Sequence, residues 1–171
     1  MKQTGVLILE NLRSVENTAS IFRTADGFGV SKIILIGTTP APLDRFGRKR
    51  RDFAKVALGA EQTIHWEYQK EIGPVIDNLK EDGFTVIALE QTSHSVDLKR
   101  LAKPDKFAIV VGNEVTGVSR EAIGMSDVIA EIPMFGQKES LNVSVAAGVA
   151  LFVLSWIRQA SSTKLTINHH K

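Results

Sequence analysis

Short apolar runs alternate with helical segments along this 171-residue chain, and that alternation limits the fold more than any other feature. The runs are rich in β-branched residues, and several are typical of strands buried on both faces, as in a parallel sheet. We predict strands at Val6–Leu9, Lys32–Ile36, Thr63–Trp66, Phe84–Leu89, Phe107–Val111 and Val128–Ile132.

The segments between these runs carry helical patterns. We predict helices at Asn17–Phe28, Asp52–Leu58, Glu71–Glu81, Ser119–Gly124 and Leu141–Gln159. Because strand and helix alternate, the order predicts one α/β domain with a mainly parallel sheet flanked by helices. Ligands of such sheets normally bind outside the carboxyl ends of the strands, so the loops that follow the strands are where a site is expected.

Composition excludes several classes of function. The 43% hydrophobic and 23% charged residues, without a run of eighteen apolar residues, indicate a soluble, cytoplasmic protein with no membrane partner. Cysteine is absent, which excludes disulfides and thiolate chemistry. His65 and His94 lie far apart and His169–His170 lie in a polar tail, so no pair has metal-site spacing and we expect no metal.

Polar residues are concentrated after the first predicted strand, between Asn11 and Gly29. Asn17 can serve as the N-cap of the following helix. Arg23 and Asp26 stand three residues apart on that helix and can form an ion pair. A capped surface helix explains these residues without any function, and composition alone favours that explanation.

A second polar group follows the predicted strand Phe107–Val111. Gly112 lets backbone amides approach a ligand closely, and Glu114 is placed at the carboxyl end of the strand. An ordinary turn with a carboxylate at a helix start explains the same residues equally well. No Gly-Lys-Ser/Thr sequence follows, so this is not a phosphate-binding loop, and ATP hydrolysis is disfavoured.

A third polar group begins the long apolar segment Gly136–Phe152. Ser140 is predicted to cap the long helix, whose N-terminal amides would then point into a cavity beside the sheet. Capping explains Ser140 but does not explain Asn142, which is a poor helix former just inside the predicted helix. We therefore predict that the Asn142 amide is used by a site.

Cations are concentrated between the second and third predicted strands. This basic loop contains Arg45, Arg48, Lys49, Arg50, Arg51 and Lys55. The formal net charge of +2 is too small to indicate a nucleic-acid partner, so the clustering is what matters. Without enough nearby acids these cations repel one another, and an RNA backbone is the natural anion for them. A solvated charge run is the structural alternative.

Three segments taken in order resemble the motifs of the SpoU (TrmH) family, which are RNA ribose 2′-O-methyltransferases of the SPOUT class. They are Asn17–Asp26, Val110–Gly117, and Ile132–Met134 together with Ser140–Ser144. The similarity extends from about Val6 to Trp156. It implies methyl transfer from S-adenosyl-L-methionine to an RNA ribose, on a SPOUT fold with a C-terminal deep trefoil knot. The compactness of the chain slightly favours tRNA over rRNA as the substrate.

The resemblance also implies roles for single residues. Those that match the family's catalytic positions are Arg23, Asn17, Glu114, Ser140 and Asn142. Those that match its cofactor contacts are Leu89, Glu90, Gly112, Ile132, Met134 and Leu141. Family members are homodimers with the first-motif helix near the interface, so Arg23 is expected to serve its own or the partner subunit's cofactor. The helix predicted at 141–159 would supply much of that interface.

This sequence departs from the family pattern in two respects. Val15 stands where many relatives carry a proline, which costs rigidity but no reactive group. Many relatives also bear an additional RNA-binding domain, whereas we expect residues 1–171 to form one methyltransferase domain. A catalytically silent RNA-binding or ribosome-assembly protein on the same fold is the alternative. A nucleotide-binding doubly wound protein is disfavoured because the glycine fingerprints are missing.

Overall fold

Parallel strands form the centre of the computed structural model, which describes residues 4–162. The strands are β1 (Thr4–Glu10), β2 (Lys32–Ile36), β3 (His65–Gln69), β4 (Thr85–Leu89), β5 (Val96–Asp97), β6 (Lys106–Val111) and β7 (Val128–Glu131). They form one seven-stranded sheet in the order β3-β2-β1-β6-β4-β7-β5, and every strand pair is parallel. The predicted α/β class is confirmed, and the trefoil knot stays a prediction.

Helices flank this sheet. They are α1 (Val15–Gly27), α2 (Arg51–Ala57), α3 (Ala60–Thr63), α4 (Gly73–Glu81), α5 (Arg120–Met125) and α6 (Val143–Ser162), with a 3-10 turn at Leu98–Arg100. The five predicted helices are present with their ends shifted by at most three residues, and α3 was not predicted. In the part of the chain that the structure describes, no helix is both long and apolar enough to cross a membrane.

Both faces of the sheet are covered, which is why its central strands are apolar without alternation. In β1, Leu7 and Leu9 face one hydrophobic cluster, which includes Phe22 of α1 and residues of α6. Val6 and Ile8 face the other cluster, which includes residues of α4 and α5. The sheet is therefore a rigid base for the loops at its carboxyl edge.

The predicted third strand, Thr63–Trp66, is wrong at both ends. Thr63 ends helix α3, and β3 begins at His65, where it pairs with Lys32 of β2. As an edge strand, β3 exposes most of its residues to solvent, so it lacks the continuous apolar pattern of the central strands. Periodicity alone could not place its ends.

The predicted cap of the first helix is also wrong. Helix α1 begins at Val15, and the hydroxyl oxygen of Ser14 accepts a hydrogen bond of 3.1 Å from the amide of Asn17. Serine is as good an N-cap as asparagine, so the sequence offered two positions and the earlier one is used. Asn17 consequently lies in the first turn, with its side-chain amide directed to other partners.

The predicted cap of the long helix is wrong in the same way. Helix α6 begins at Val143, and Oδ1 of Asn142 accepts hydrogen bonds from the amide (2.9 Å) and hydroxyl (2.7 Å) of Ser144. Asn142 is therefore the N-cap and is not inside the helix, while Ser140 is exposed in the preceding loop. One oxygen of Asn142 does the capping, and its amide nitrogen is left for another contact.

Candidate active site

A cavity of about 460 Å³ lies at the carboxyl edge of the sheet, between the ends of three strands and the start of α6. The loops after β4, β6 and β7 line it with Leu89, Glu90, Gln91, Val111, Gly112, Asn113, Glu114, Gly117, Glu131, Ile132 and Met134. The start of α6 adds Ser140, Leu141, Asn142, Val143 and Ala146. All six residues matched to cofactor contacts line this cavity, which joins segments far apart in sequence.

The loop after β6 is a closed turn. The backbones of Asn113 and Gly117 exchange two hydrogen bonds, of 3.0 and 2.9 Å. The Asn113 side chain accepts hydrogen bonds from two backbone amides inside the turn and donates one of 2.7 Å to the carbonyl of Asn11. This turn holds Glu114 at a fixed place above the cavity.

Glycines allow this turn to pack tightly against the loop after β4. A Cβ atom on Gly112 would overlap the backbone of Gly117 and the amide nitrogen of Val118. Gly117 has φ +71°, and a Cβ there would overlap the carboxylate of Glu90. That carboxylate accepts hydrogen bonds from the amides of Val118 (2.8 Å) and Gln91 (2.9 Å). The Glu90 carboxylate thereby joins the loop after β4 to the turn after β6, and both of these segments line the cavity.

Glu114 connects the cavity to the start of helix α1. Its carboxylate accepts hydrogen bonds from the backbone amides of Arg13 (3.0 Å) and Ser14 (3.2 Å) and from Nδ2 of Asn17 (3.0 Å). A carboxylate at a helix N-terminus is stabilised by the exposed amides and the helix dipole. Glu114 is therefore held as an anion that receives hydrogen bonds from three directions.

Asn17 joins Glu114 to Asn142. Nδ2 of Asn142 donates a hydrogen bond of 3.1 Å to Oδ1 of Asn17, whose own Nδ2 donates to Glu114. This polar chain, Asn142–Asn17–Glu114, ties the first turns of α6 and α1 to the turn after β6. The three residues come from the three segments that carry the family resemblance, and the contacts explain why asparagines are needed at both positions.

Arg23 lies apart from this group. It is exposed on α1, about 9 Å of helical rise beyond Asn17, and is not among the residues that line the cavity. The predicted ion pair with Asp26 is wrong, because the two charged groups do not come within 4.0 Å, and Asp26 instead accepts a hydrogen bond of 2.8 Å from Thr63. Among residues 4–162, Arg23 has no carboxylate within 4.0 Å. The fold of this chain thus brings together four of the five residues matched to catalytic positions.

The contacts of Glu114 change its acidity. Partial burial acts to raise the pKa of Glu114, but hydrogen bonds from the Asn17 side chain and from backbone amides outweigh it. The pKa of Glu114 is consequently lower than the ordinary glutamate value of 4.5. Ionised Glu114 therefore stabilises the fold above that ordinary value, and this stabilisation is lost as pH falls through the lower, folded-state pKa.

Replacing Glu114 with glutamine tests this linkage. Near neutral pH, Glu114→Gln is expected to lower the free energy of unfolding, and the difference from wild type should shrink as pH falls below 4.5. Urea unfolding followed by circular dichroism over this pH range measures the effect. Glu71→Gln, at an exposed glutamate, is the control and should stay close to wild type. A Glu114→Gln difference that is the same at neutral and acidic pH would contradict the account.

The basic loop is less unbalanced than its sequence suggested. Arg48 pairs with Asp44 and Arg50 pairs with Asp52, each at 2.8 Å, so the prediction of too few nearby acids is wrong for these two arginines. Both aspartates lie within four residues of their partners, where local backbone turns bring them together. Within the basic loop, the exposed cations that have no ion pair with any residue of 4–162 are Arg45, Lys49, Arg51 and Lys55.

Several residues of the site were missed by sequence reasoning. Asn113 and Gly117 close the turn after β6, and an Asn followed four residues later by Gly was the available signal. Glu131 lines the cavity and accepts a hydrogen bond of 2.7 Å from the hydroxyl of Ser95, which no local pattern indicates. Among the residues described, no three acidic or histidine side chains are grouped as a metal site requires.

Comparison with known proteins gives consistent matches. A sequence model of the SpoU rRNA Methylase family matches residues 5–152. The tRNA (guanosine(18)-2′-O)-methyltransferase of Borreliella burgdorferi is 30% identical over 161 residues, which cover 94% of this chain and 70% of that protein. The 23S rRNA (guanosine-2′-O-)-methyltransferase RlmB of Neisseria meningitidis serogroup B is 36% identical over 146 residues, which cover 85% of this chain and 56% of that protein.

The fold is shared with the solved structure of an rRNA methyltransferase. The crystal structure of an AdoMet-bound rRNA methyltransferase from Sinorhizobium meliloti superposes with a TM-score of 0.78 at 26% identity. The superposition covers 94% of this chain and 57% of that one. The chain therefore spans between about half and about two thirds of the length of these three proteins.

Proposed function

Because this chain belongs to the SpoU rRNA methylase family, we propose that it transfers a methyl group from S-adenosylmethionine to a ribose 2′-hydroxyl of RNA. The observation that carries the proposal is the cavity at the carboxyl edge, bordered by the polar chain Asn142–Asn17–Glu114. Relatives that match over most of this chain are named as tRNA and 23S rRNA ribose methyltransferases. A similar solved structure contains AdoMet.

The cavity suits this cofactor in size and chemistry. Its volume lies within the range of about 300–1,000 Å³ that is usual for small-molecule sites. Leu89, Ile132, Met134 and Leu141 provide an apolar surface for an adenine ring. Gly112 also lines the cavity, and its missing side chain leaves room for the backbone of Gly117. The carboxylate of Glu90 or Glu131 can face a cationic ligand. When bound, S-adenosylmethionine supplies a methyl group on a positively charged sulfur.

The proposed chemistry needs alignment more than it needs a reactive side chain. In-line methyl transfer would need the ribose oxygen opposite the sulfur, so that the oxygen–methyl bond forms as the carbon–sulfur bond breaks and the hydroxyl proton passes to solvent water. The polar chain fixes the start of α6 relative to the turn after β6, so the walls on either side of the reaction keep their spacing. In this proposal the guanidinium group of Arg23 holds the adjacent phosphate and stabilises the developing negative oxygen.

We also propose that the protein is a homodimer through α6 and the end of α1. Val145 is 50% exposed, Phe152 is 48% exposed, and the ring of Phe152 lies 6.4 Å from that of Phe28, which is 37% exposed. Val145 and Phe152 are seven residues apart and share one face of the helix. An exposed apolar stripe of this kind favours a protein interface. In such a dimer, Arg23 of one subunit can reach the cavity of its partner.

The substitution Val145→Glu tests the dimer interface without disturbing the fold of the subunit. Val145 lies in the first turn of α6, where a glutamate is favourable to the helix, so Val145→Glu should fold normally while placing a charge in the interface. Sedimentation is expected to show a dimer for wild type and a monomer for the variant. Val96→Glu, at a valine that is 43% exposed in β5, is the matched control and should remain dimeric. A dimeric Val145→Glu protein would place the interface elsewhere.

For the substrate we propose tRNA, with rRNA as the alternative. In this proposal the basic loop contacts the RNA. Purified protein is incubated with labelled S-adenosylmethionine and either tRNA or rRNA from cells that lack this enzyme. Label in tRNA supports the proposal, and label in rRNA alone would replace it.

A catalytically silent RNA-binding protein on the same fold is the second candidate. Calorimetric titration with S-adenosylmethionine distinguishes the two, because the silent protein has no need for the cofactor. RNA binding without cofactor binding would favour the silent protein and contradict the enzyme proposal.

A further inference from the structure

The basic loop carries an exposed aromatic ring at its centre. Phe46 is 65% exposed, although a large apolar side chain is usually buried. The guanidinium carbons of Arg45 and Arg48 lie 4.7 and 5.0 Å from the centre of its ring, within the range of cation–π contacts. The ring is thus presented to solvent together with two cations, and is not covered by the rest of the protein.

The segment that carries Phe46 is ordered by Asp44. One carboxylate oxygen of Asp44 accepts hydrogen bonds from the amides of Phe46 (2.8 Å) and Arg48 (3.0 Å), and the other accepts from Nε of Arg48 (2.8 Å). Gly47 supplies the turn with φ +76°, and the backbones of Leu43 and Lys49 form an antiparallel bridge. These contacts hold the turn in one conformation with the Phe46 ring exposed, so the exposure of the ring does not result from a loose loop.

The basic loop begins at the same edge of the sheet as the cavity. It follows β2, whose direction is parallel to that of β4, β6 and β7, so all four strands end at one edge. The hydroxyl of Thr39, just after β2, donates to the carbonyl of Leu9 (2.7 Å) and accepts from the amide of Leu12 (3.1 Å). An RNA chain bound at the cavity could therefore continue onto the basic loop.

We propose that Phe46, with the guanidinium groups of Arg45 and Arg48, is a stacking platform for an unpaired base of the RNA. The inference rests on the proposed RNA methyltransferase function. Aromatic rings and guanidinium planes are the surfaces on which splayed-out bases stack, whereas the bases of a duplex are already stacked on one another. The platform therefore selects a loop or bulge near the methylated ribose, and the remaining cations of the basic loop bind phosphates.

Substitutions at Phe46 distinguish stacking from simple charge attraction. Binding is measured by fluorescence anisotropy with a labelled single-stranded RNA and with a duplex of the same sequence. Phe46→Ala and Phe46→Leu are expected to weaken binding of the single strand by about 5- to 150-fold, the equivalent of one lost stacked base. Phe46→Tyr should keep most of the affinity. Duplex binding should change little in all three variants.

The control is Leu58→Ala, because Leu58 is an apolar residue that is also 65% exposed and lies beyond α2. It should bind both RNAs like wild type.

The inference is overturned if Phe46→Leu binds the single strand like wild type, if both RNAs lose affinity equally, or if wild type binds neither RNA. It fails alone, leaving the proposed function intact, if wild type transfers methyl groups while Phe46→Leu keeps full affinity. If single-strand binding depends on Phe46 but no methyl group is transferred, only the proposed methyltransferase activity is contradicted.

Discussion

Replacing Arg23 with alanine is expected to lower the rate of methyl transfer by about 10²–10³-fold, the usual cost of removing one group that stabilises a developing negative charge. Cofactor affinity should stay close to wild type, because Arg23 is exposed and does not line the cavity of its own subunit. Single-turnover transfer from labelled S-adenosylmethionine gives the rate, and calorimetry gives the affinity. A variant with the wild-type rate would remove Arg23 from the mechanism.

Arg23→Lys is the companion variant. Lysine keeps the positive charge but loses the planar fork that binds phosphate through two hydrogen bonds. A rate between those of Arg23→Ala and wild type is expected. If lysine restores the full rate, charge alone is sufficient and the forked phosphate contact is wrong.

Co-expression of two different inactive variants can determine whether Arg23 acts in its own subunit or in the partner subunit. When Arg23→Ala chains are co-expressed with chains that cannot bind cofactor, half of the dimers contain one chain of each kind. If Arg23 acts in the partner's cavity, one of the two sites in each mixed dimer is complete, and about a quarter of the wild-type activity returns. If Arg23 acts in its own subunit, no complete site forms and the mixture stays inactive.

Gly112→Ala is expected to have the second large effect, on cofactor binding. The added Cβ would overlap the backbone of Gly117 and Val118, so the two ends of the turn after β6 must move apart and change the cavity wall that they form. Overpacking of this kind costs about 1–3 kcal/mol, and affinity for S-adenosylmethionine should fall by about 5- to 150-fold if the displaced turn must be restored on binding. Calorimetry measures the affinity, and this variant serves as the cofactor-deficient chain of the mixing experiment when S-adenosylmethionine is kept below the Kd of the variant.

Gly124→Ala is the matched control, because a Cβ on Gly124 of α5 meets nothing within 4 Å. It should bind cofactor like wild type. Thermal unfolding separates a local change in Gly112→Ala from loss of the fold, since a folded variant retains a cooperative transition. Wild-type cofactor affinity in Gly112→Ala would show that the packing of Gly112 against Gly117 does not shape the binding site.

The central strands could be predicted from the sequence because burial on both faces leaves a clear apolar signal. β2 was predicted at its observed ends, Lys32–Ile36, since both of its faces are covered by helices. The edge strand β3 was misplaced because solvent removes that signal. The two-residue strand β5 was missed because Val96–Asp97 is too short to show periodicity.

Helix starts were harder to predict because neighbouring residues compete to be the cap. Ser14 and Asn17 are both good N-caps, as are Ser140 and Asn142, and nothing local decides between them. In each case the observed start leaves an asparagine side chain available for the polar chain. The choice is therefore made by contacts between segments about a hundred residues apart.

The site was located by the rule that ligands bind at the carboxyl ends of parallel strands, and the residues came from the family resemblance. The sequence predicted which loops meet, but not the hydrogen bonds that join Glu114, Asn17 and Asn142. It also could not place Arg23, which the structure shows exposed on α1 and outside the cavity. Ion pairs such as Arg48–Asp44 were missed because they depend on how the loop turns.

The position of the transferred methyl group tests the central claim most directly. RNA from cells that lack this enzyme is incubated with the protein and labelled S-adenosylmethionine, and the product is hydrolysed with alkali. A methyl group on the 2′-oxygen blocks attack on the neighbouring phosphodiester, so the account predicts label in an alkali-resistant dinucleotide. Label in single nucleotides, which would mean base methylation, or no label in any RNA, would contradict it.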